Sequence, residues 1–196
     1  MSIPKPRLTE LVLQTSRYEE LKDWYQKVMD GEWFLENVPK EGTVVTRYGD
    51  GNRQVRAAEV RACFMLFDDE FPFGQIFAIF DIPDLAAKPT NDPGVNHVRY
   101  GQATLPELFD RYEHLRDLGI HPHRVSNHGQ STSFYYLDPD MNVVEFTAPN
   151  FDDKEEFVAY LQSDAFKADP SGIEVDPEEF VGRFRSGVPQ RELVKI

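Results

Sequence analysis

The sequence predicts an α+β fold built from two strand-helix-strand-strand-strand units and a helical C-terminal extension. Three observations predict it: an internal repeat at an offset of 87, strand-like segments after each helical segment, and acid-started helical patterns from residue 150 onward. At 196 residues, with 40% hydrophobic and 13% aromatic content, the chain can bury one substantial core, which favours one compact body with an extension. Its 34 acidic and 21 basic side chains give a formal net charge of −13, which repels phosphate backbones and argues against general nucleic-acid binding. A small neutral or aromatic ligand is the easier partner. The lone Cys63 excludes an intrachain disulfide framework and a multi-cysteine zinc site, and reads as a buried small hydrophobe rather than a nucleophile. No stretch approaches the roughly 18 unbroken apolar residues of a membrane span, and the start lacks an apolar leader core, so a cytoplasmic location is expected.

The repeat brings "LTELVLQTSRYEELKDWYQKV" (8–28) onto "VNHVRYGQATLPELFDRYEHL" (95–115), with Leu21 on Leu108, Asp23 on Asp110 and Tyr25 on Tyr112. Each segment starts with a short alternating run and continues into apolar positions at helical spacing: Leu21, Trp24, Tyr25 and Val28, then Leu108, Tyr112 and Leu115. Ser16 and Thr104 are the predicted N-caps. After the first helix, "EWFLENV", "GTVVTRYG", "EVRACFMLF" and "QIFAIFDIP" read as strands, with extra residues between about 36 and 75. After the second come "HPHRVS", "TSFYYLDP" and "NVVEFTA". The predicted boundaries are a first unit over 7–83, a linker over 84–94, a second unit over 95–149 and an extension over 150–196. In the extension, "DDKEEFVAYLQSDAF" and "DPEEFVGRFRSG" read as helices, the second capped by Asp176, started by Pro177 and stopped by Gly187. Their apolar faces, Phe157, Tyr160 and Leu161 and then Phe180, Val181 and Phe184, must pack on the same unit or on a partner subunit. A homodimer through the extension is one such arrangement.

Two ionisable residues fall inside the predicted strands of the second unit. Alternation puts Val95, His97 and Arg99 on one face and Val98 and Tyr100, which should meet the helix, on the other. In the same way Val143, Glu145 and Thr147 share a face. An inward carboxylate costs several kcal/mol unless it is paired or binds a metal. Two arrangements satisfy Glu145: an ion pair with Arg99, or a metal held jointly with His97. The offset of 87 places Glu10 where His97 stands, which makes Glu10 the third candidate ligand. One imidazole and two carboxylates leave coordination positions open for substrate.

The run "GVNHV", "YEHLRDLGIHPH" and "NHGQSTSFYYLDPDMNVVEF" resembles the metal-bearing half of the vicinal oxygen chelate superfamily, which includes glyoxalases and extradiol ring-cleaving dioxygenases. The start "PRLTELVLQT", the "WYQKV" helix and the His-Gly and Phe-Tyr series are similar to the extradiol dioxygenase group, over residues 7 to about 150. The resemblance implies paired βαβββ modules forming a cupped half-barrel around Fe(II). It implies His97 and Glu145 as metal ligands, His128 as a pocket histidine that moves protons, and Tyr135 as the hydroxyl that meets a catecholate; Arg99 and Tyr136 are expected as further substrate contacts. Glu10 departs from the pattern, because a dioxygenase has a histidine there. A carboxylate at that position favours harder cations, so Mn(II) or Mg(II) become alternatives to Fe(II). Met141 replaces a usual turn glycine. The expected activity is ring cleavage of a catechol-like diol. The alternatives are a lyase or isomerase using a divalent ion as Lewis acid, and a non-catalytic small-molecule-binding module.

Overall fold

The computed structural model describes residues 5–45, 55–85 and 94–196. The chain divides into two units, Met1–Asn91 and Asp92–Ile196, where composition alone favours one body. Most of the predicted linker, residues 86–93, lies outside the described residues, as does the second half of the predicted strand "GTVVTRYG"; its first half, residues 42–45, is not in a strand.

The first unit runs β1 (Glu10–Thr15), α1 (Tyr18–Met29), β2 (Trp33–Asn37), β3 (Ala62–Asp68) and β4 (Gln75–Asp81). Its sheet has the order β1-β4-β3-β2, with β1 parallel to β4 and the other pairs antiparallel. Helix α1 covers one face through Tyr25, whose ring lies 4.5 Å from that of Phe77. The opposite face carries Ala62, Ala78 and Phe80 in an apolar cluster with Val60 and Ile82, against which Val12 and Phe64 pack. Glu10 shares that face by alternation with Val12, and it is exposed. Ser16 is not the cap of α1. The N-cap position is Arg17, which has no side-chain cap bond, and the hydroxyl of Thr15 accepts the Arg17 N–H at 2.8 Å.

The second unit repeats the plan: β5 (Val98–Gly101), α2 (Leu105–Asp117), β6 (Arg124–Asn127), β7 (Ser131–Leu137) and β8 (Val143–Pro149). Strand β5 is parallel to β8, and the order is β5-β8-β7-β6, with a ninth strand, β9 (Ile173–Glu174), beyond β6. The repeat holds at the helices, with Phe109 as an added buried residue of α2. Buried Tyr18, Leu21, Tyr25 and Val28 of α1 correspond at an offset of 87 to buried Leu105, Leu108, Tyr112 and Leu115 of α2. Thr104 caps α2 by accepting the Glu107 N–H at 3.4 Å. Tyr112 and Phe109 of α2 pack on Phe134 of β7, and Arg111 lies over the ring of Phe146 in β8.

The extension folds back on its own unit. It forms α3 (Lys154–Gln162), α4 (Asp164–Ala168), β9 (Ile173–Glu174), α5 (Pro177–Arg185) and α6 (Gln190–Leu193). Strand β9 adds an edge beside β6, an element too short to leave a sequence pattern. Asp176 caps α5 and Pro177 starts it, and Phe180 and Phe184 stand edge-on to Phe109 of α2 at 5.8 and 4.9 Å. Tyr112 donates a 2.6 Å hydrogen bond to Glu178. The α5 face is therefore packed within the unit, whereas α3 buries none of its residues fully and keeps Phe157, Tyr160 and Leu161 half-buried. No helix among the described residues is long and apolar enough to cross a membrane.

Candidate active site

Pleat and register place one set of polar side chains on the face of the second sheet opposite α2. Glu145 is aligned with Arg99 on β5 and with Tyr135 on β7; Thr147 is aligned with Ser133, and Tyr135 with Arg124 on β6. Because side chains alternate along a strand, all of these share a face. Tyr136 does not. It pairs with Val144 on the other face, is 1% exposed, and packs its ring on Phe146. Its expected role in substrate contact is therefore corrected to a core role, since neighbours on one strand cannot both face the site.

Glu145 is almost fully buried, with 4% of its side chain exposed, and its two oxygens are treated differently. Oε1 accepts a 2.7 Å hydrogen bond from Ser133 Oγ and lies 3.5 Å from Arg99 Nε. Arg99 also donates to Thr147 Oγ1 at 3.0 Å, and Thr147 donates to the Thr132 carbonyl at 3.1 Å. Oε2 faces His97 Nε2 at 3.1 Å. Both partners weighed from the sequence, Arg99 and His97, thus meet this carboxylate, one on each oxygen. His97 stands one residue before β5 rather than inside it, with its side chain 40% exposed. Its Nδ1 lies 2.7 Å from Asn96 Oδ1, which only accepts, so Nδ1 carries a hydrogen and Nε2 is the nitrogen directed at the carboxylate.

A lone pair and a carboxylate oxygen at this distance need a cation between them, either a proton or a metal. An ion with bonds of about 2.1 Å to both atoms at a right angle would set them about 3.0 Å apart. The observed separation fits a shared divalent ion. Within each unit, among the described residues, no third His, Cys, Asp or Glu completes such a group.

His128 lies in the turn between β6 and β7. Its backbone N–H bonds the Ser131 carbonyl at 2.8 Å, its Nε2 lies 3.0 Å from Tyr135 Oη, and its Nδ1 lies 2.6 Å from the Ser171 carbonyl. A buried amide network fixes the turn: Asn150 donates to Asn127 Oδ1 and to the Gly129 carbonyl, and Thr132 donates to Asn150. Burial, with the Glu145 charge second, raises the Tyr135 phenol above its usual value, so it remains a hydrogen-bond donor at neutral pH. The Arg124 guanidinium stacks on the Tyr135 ring at 4.0 Å. Next to Arg99 a cavity of about 320 Å³ is bordered by Ser131, Thr147, Pro149 and Phe157.

Ser133 and Arg124 support this cluster and were not singled out from the sequence, whereas Thr147 was already on the face of Glu145. The signal was present as period-two alternation with Tyr135 and Glu145. Cys63 is fully buried and its thiol is pushed up to about 11 by that burial, in keeping with a structural role.

No family model matches the chain. Two curated relatives do. One, a biphenyl-2,3-diol 1,2-dioxygenase 2 of Rhodococcus globerulus, is 34% identical over 186 residues, 94% of this chain and 84% of the relative. Another, a biphenyl-2,3-diol 1,2-dioxygenase 3 of the same organism, is 30% identical over 191 residues, 96% of this chain and 87% of the relative. Among solved structures, a glyoxylase/bleomycin resistance protein/dioxygenase domain from Frankia sp. EAN1pec aligns with TM-score 0.53 at 12% identity, covering 74% of this chain and 99% of that one; it shows the shared fold.

Proposed function

The chain belongs to the vicinal oxygen chelate superfamily, with extradiol dioxygenases as its relatives, and we propose that it is a metal-dependent ring-cleaving dioxygenase acting on a catechol-like aromatic diol. The observation that carries this reading is the facing pair His97 Nε2 and Glu145 Oε2, 3.1 Å apart on the same sheet face as His128 and Tyr135. His97 and Glu145 would hold the ion, and the repeat makes Glu10 the candidate donor from the first unit. When bound, Fe(II) supplies coordination for the two vicinal oxygens and the redox chemistry that ring cleavage requires.

The protein's own groups do the rest. Ser133 and Arg99 hold Oε1 of Glu145, so Oε2 is left for the ion. With Nδ1 protonated, His128 Nε2 can accept the proton of a diol hydroxyl, and Tyr135 can donate to the diol oxygen. Ser131, Pro149 and Phe157, around the cavity beside Arg99, border room for the rest of the aromatic substrate.

Glu10 favours a second reading. A carboxylate in place of a neutral imidazole adds a negative charge beside the ion, which suits a lyase or isomerase that uses the ion only as a Lewis acid. The test is oxygen uptake with a panel of catechols, biphenyl-2,3-diol included, on Fe(II)-loaded wild type, Glu10→His and His97→Ala. Weak uptake by wild type that rises in Glu10→His and vanishes in His97→Ala is expected. Absent uptake by all three, with tight Mn(II) or Mg(II) binding, overturns the dioxygenase reading in favour of the second.

A further inference from the structure

His128 is held from two sides, and one of them belongs to the C-terminal extension. The Ser171 carbonyl lies 2.6 Å from Nδ1, and a carbonyl oxygen only accepts. Nδ1 therefore carries a hydrogen, and in the neutral ring the lone pair stands on Nε2, 3.0 Å from Tyr135 Oη. We infer that the extension is a positioning element for catalysis: the Ser171 carbonyl fixes the Nδ1–H tautomer of His128 and aims the Nε2 lone pair into the site. The inference rests on the proposed function, in which His128 serves as the base.

The extension holds that carbonyl by several local devices. Asp169 Oδ1 accepts the N–H groups of Ser171 at 3.0 Å and Gly172 at 3.3 Å, closing the turn after α4. Immediately beyond, Ile173 and Glu174 of β9 pair with Asn127 and Ser126, the two residues before His128. Gly172, at φ +67°, lies so close to that strand that a Cβ would stand 2.1 Å from the Asn127 carbonyl oxygen and 2.6 Å from His128 Cα. From the other side, a Cβ on Gly129 would meet the Tyr160 hydroxyl of α3 at 1.9 Å. Two glycines thus let the extension approach the His128 turn from both directions. An imidazole without such an anchor distributes its proton over both nitrogens, and only one tautomer leaves Nε2 basic toward the site.

The test uses the full-length Mg(II)-loaded protein, uniformly labelled with ¹⁵N, and reads the His128 tautomer from two-bond ¹H–¹⁵N correlations at pH 8. In wild type and in Ser171→Ala, which keeps the carbonyl, Nε2 should be unprotonated. Asp169→Ala, a mild change at an exposed position, and Gly172→Ala, a stronger one, should give a mixed pattern. In their Fe(II)-loaded forms, kcat for oxygen uptake should fall about tenfold, with KM and metal content changed less than about twofold. A wild-type His128 protonated at Nε2 overturns the inference, and so does a wild-type pattern in the folded variants. If no catechol is turned over, the tautomer pattern still decides the positioning, so its failure is distinguishable from failure of the proposed reaction. If Gly172→Ala does not fold, Asp169→Ala carries the test.

Discussion

Glu145 is a carboxylate inside a sheet, where an unpaired charge costs several kcal/mol. The structure meets that cost with Ser133, Arg99 and His97, and the division of labour between its two oxygens makes each partner testable. Ser133→Ala removes the hydrogen bond that holds Oε1, and Mn(II) affinity, measured by titration, should weaken about 10- to 100-fold; unchanged affinity would show that the hydroxyl does not orient the ligand. His128→Ala should lower kcat by about 10²-fold or more while leaving metal content intact, whereas equal loss of both would place His128 in direct contact with the ion. Cys63, raised to about 11, is roughly one part in a thousand thiolate at pH 8. Because burial raises this value, reactivity should rise only as pH approaches it or as the fold opens. A disulfide exchange reagent should therefore leave native protein unmodified at pH 8 and react promptly in urea. Charged residues within strands were legible because a charge interrupts a hydrophobic run. Ser133 was not, because a hydroxyl fits either face of a sheet.

The Asp-Pro-Asp turn joins β7 to β8 and sets the register that aligns Tyr135 with Glu145. Asp138 Oδ1 accepts the N–H groups of Asp140 at 2.9 Å and Asn142 at 2.8 Å, and Oδ2 accepts the Asn142 side-chain amide. Met141 occupies the left-handed region at φ 68°, where an L residue other than Gly, Asn or Asp is disfavoured. Met141→Gly should raise stability by about 1 kcal/mol, seen as a higher denaturation midpoint with unchanged oxygen uptake; a lower midpoint would mean that the half-exposed Met141 side chain contributes packing that outweighs the backbone relief. Helices α1, α2 and α5 were legible because several apolar residues recur at helical spacing and each needs a covered face. The start of α1 was not, since Ser16 and Thr15 are both cap residues and only the backbone path decides that Thr15 bonds Arg17. Strand β9 has two residues, and its pairing with β6 is set by tertiary contact at Gly172 rather than by local sequence.

Across the molecule, the repeat at an offset of 87 places a matching set of buried helix side chains in two units, yet the sheet faces turned away from those helices differ in chemistry. The first carries Val12, Phe64, Ala78 and Phe80, and the second Arg99, Ser133, Tyr135, Glu145 and Thr147. A repeat therefore gives topology without giving function, and Glu10 is the one acidic residue of β1. With a formal net charge of −13, the protein should attract divalent cations in low salt, so specific binding must be separated from this general field. Linkage provides the separation. A ligand that binds only the folded state at 100 times its Kd adds about 2.7 kcal/mol, which for a chain of this size is a rise in Tm of about 5–10 °C. Mn(II) in 0.15 M salt should produce that rise in wild type, and chelator should reverse it. His97→Ala and Glu145→Ala should each abolish the increment, compared with their own metal-free Tm values, because each removes a donor from the facing pair. Glu10→Gln should reduce it while leaving the metal-free Tm within about 1 °C, since Glu10 is an exposed residue whose replacement costs little stability. A full increment in Glu10→Gln would show that the second unit holds the ion with His97 and Glu145 alone.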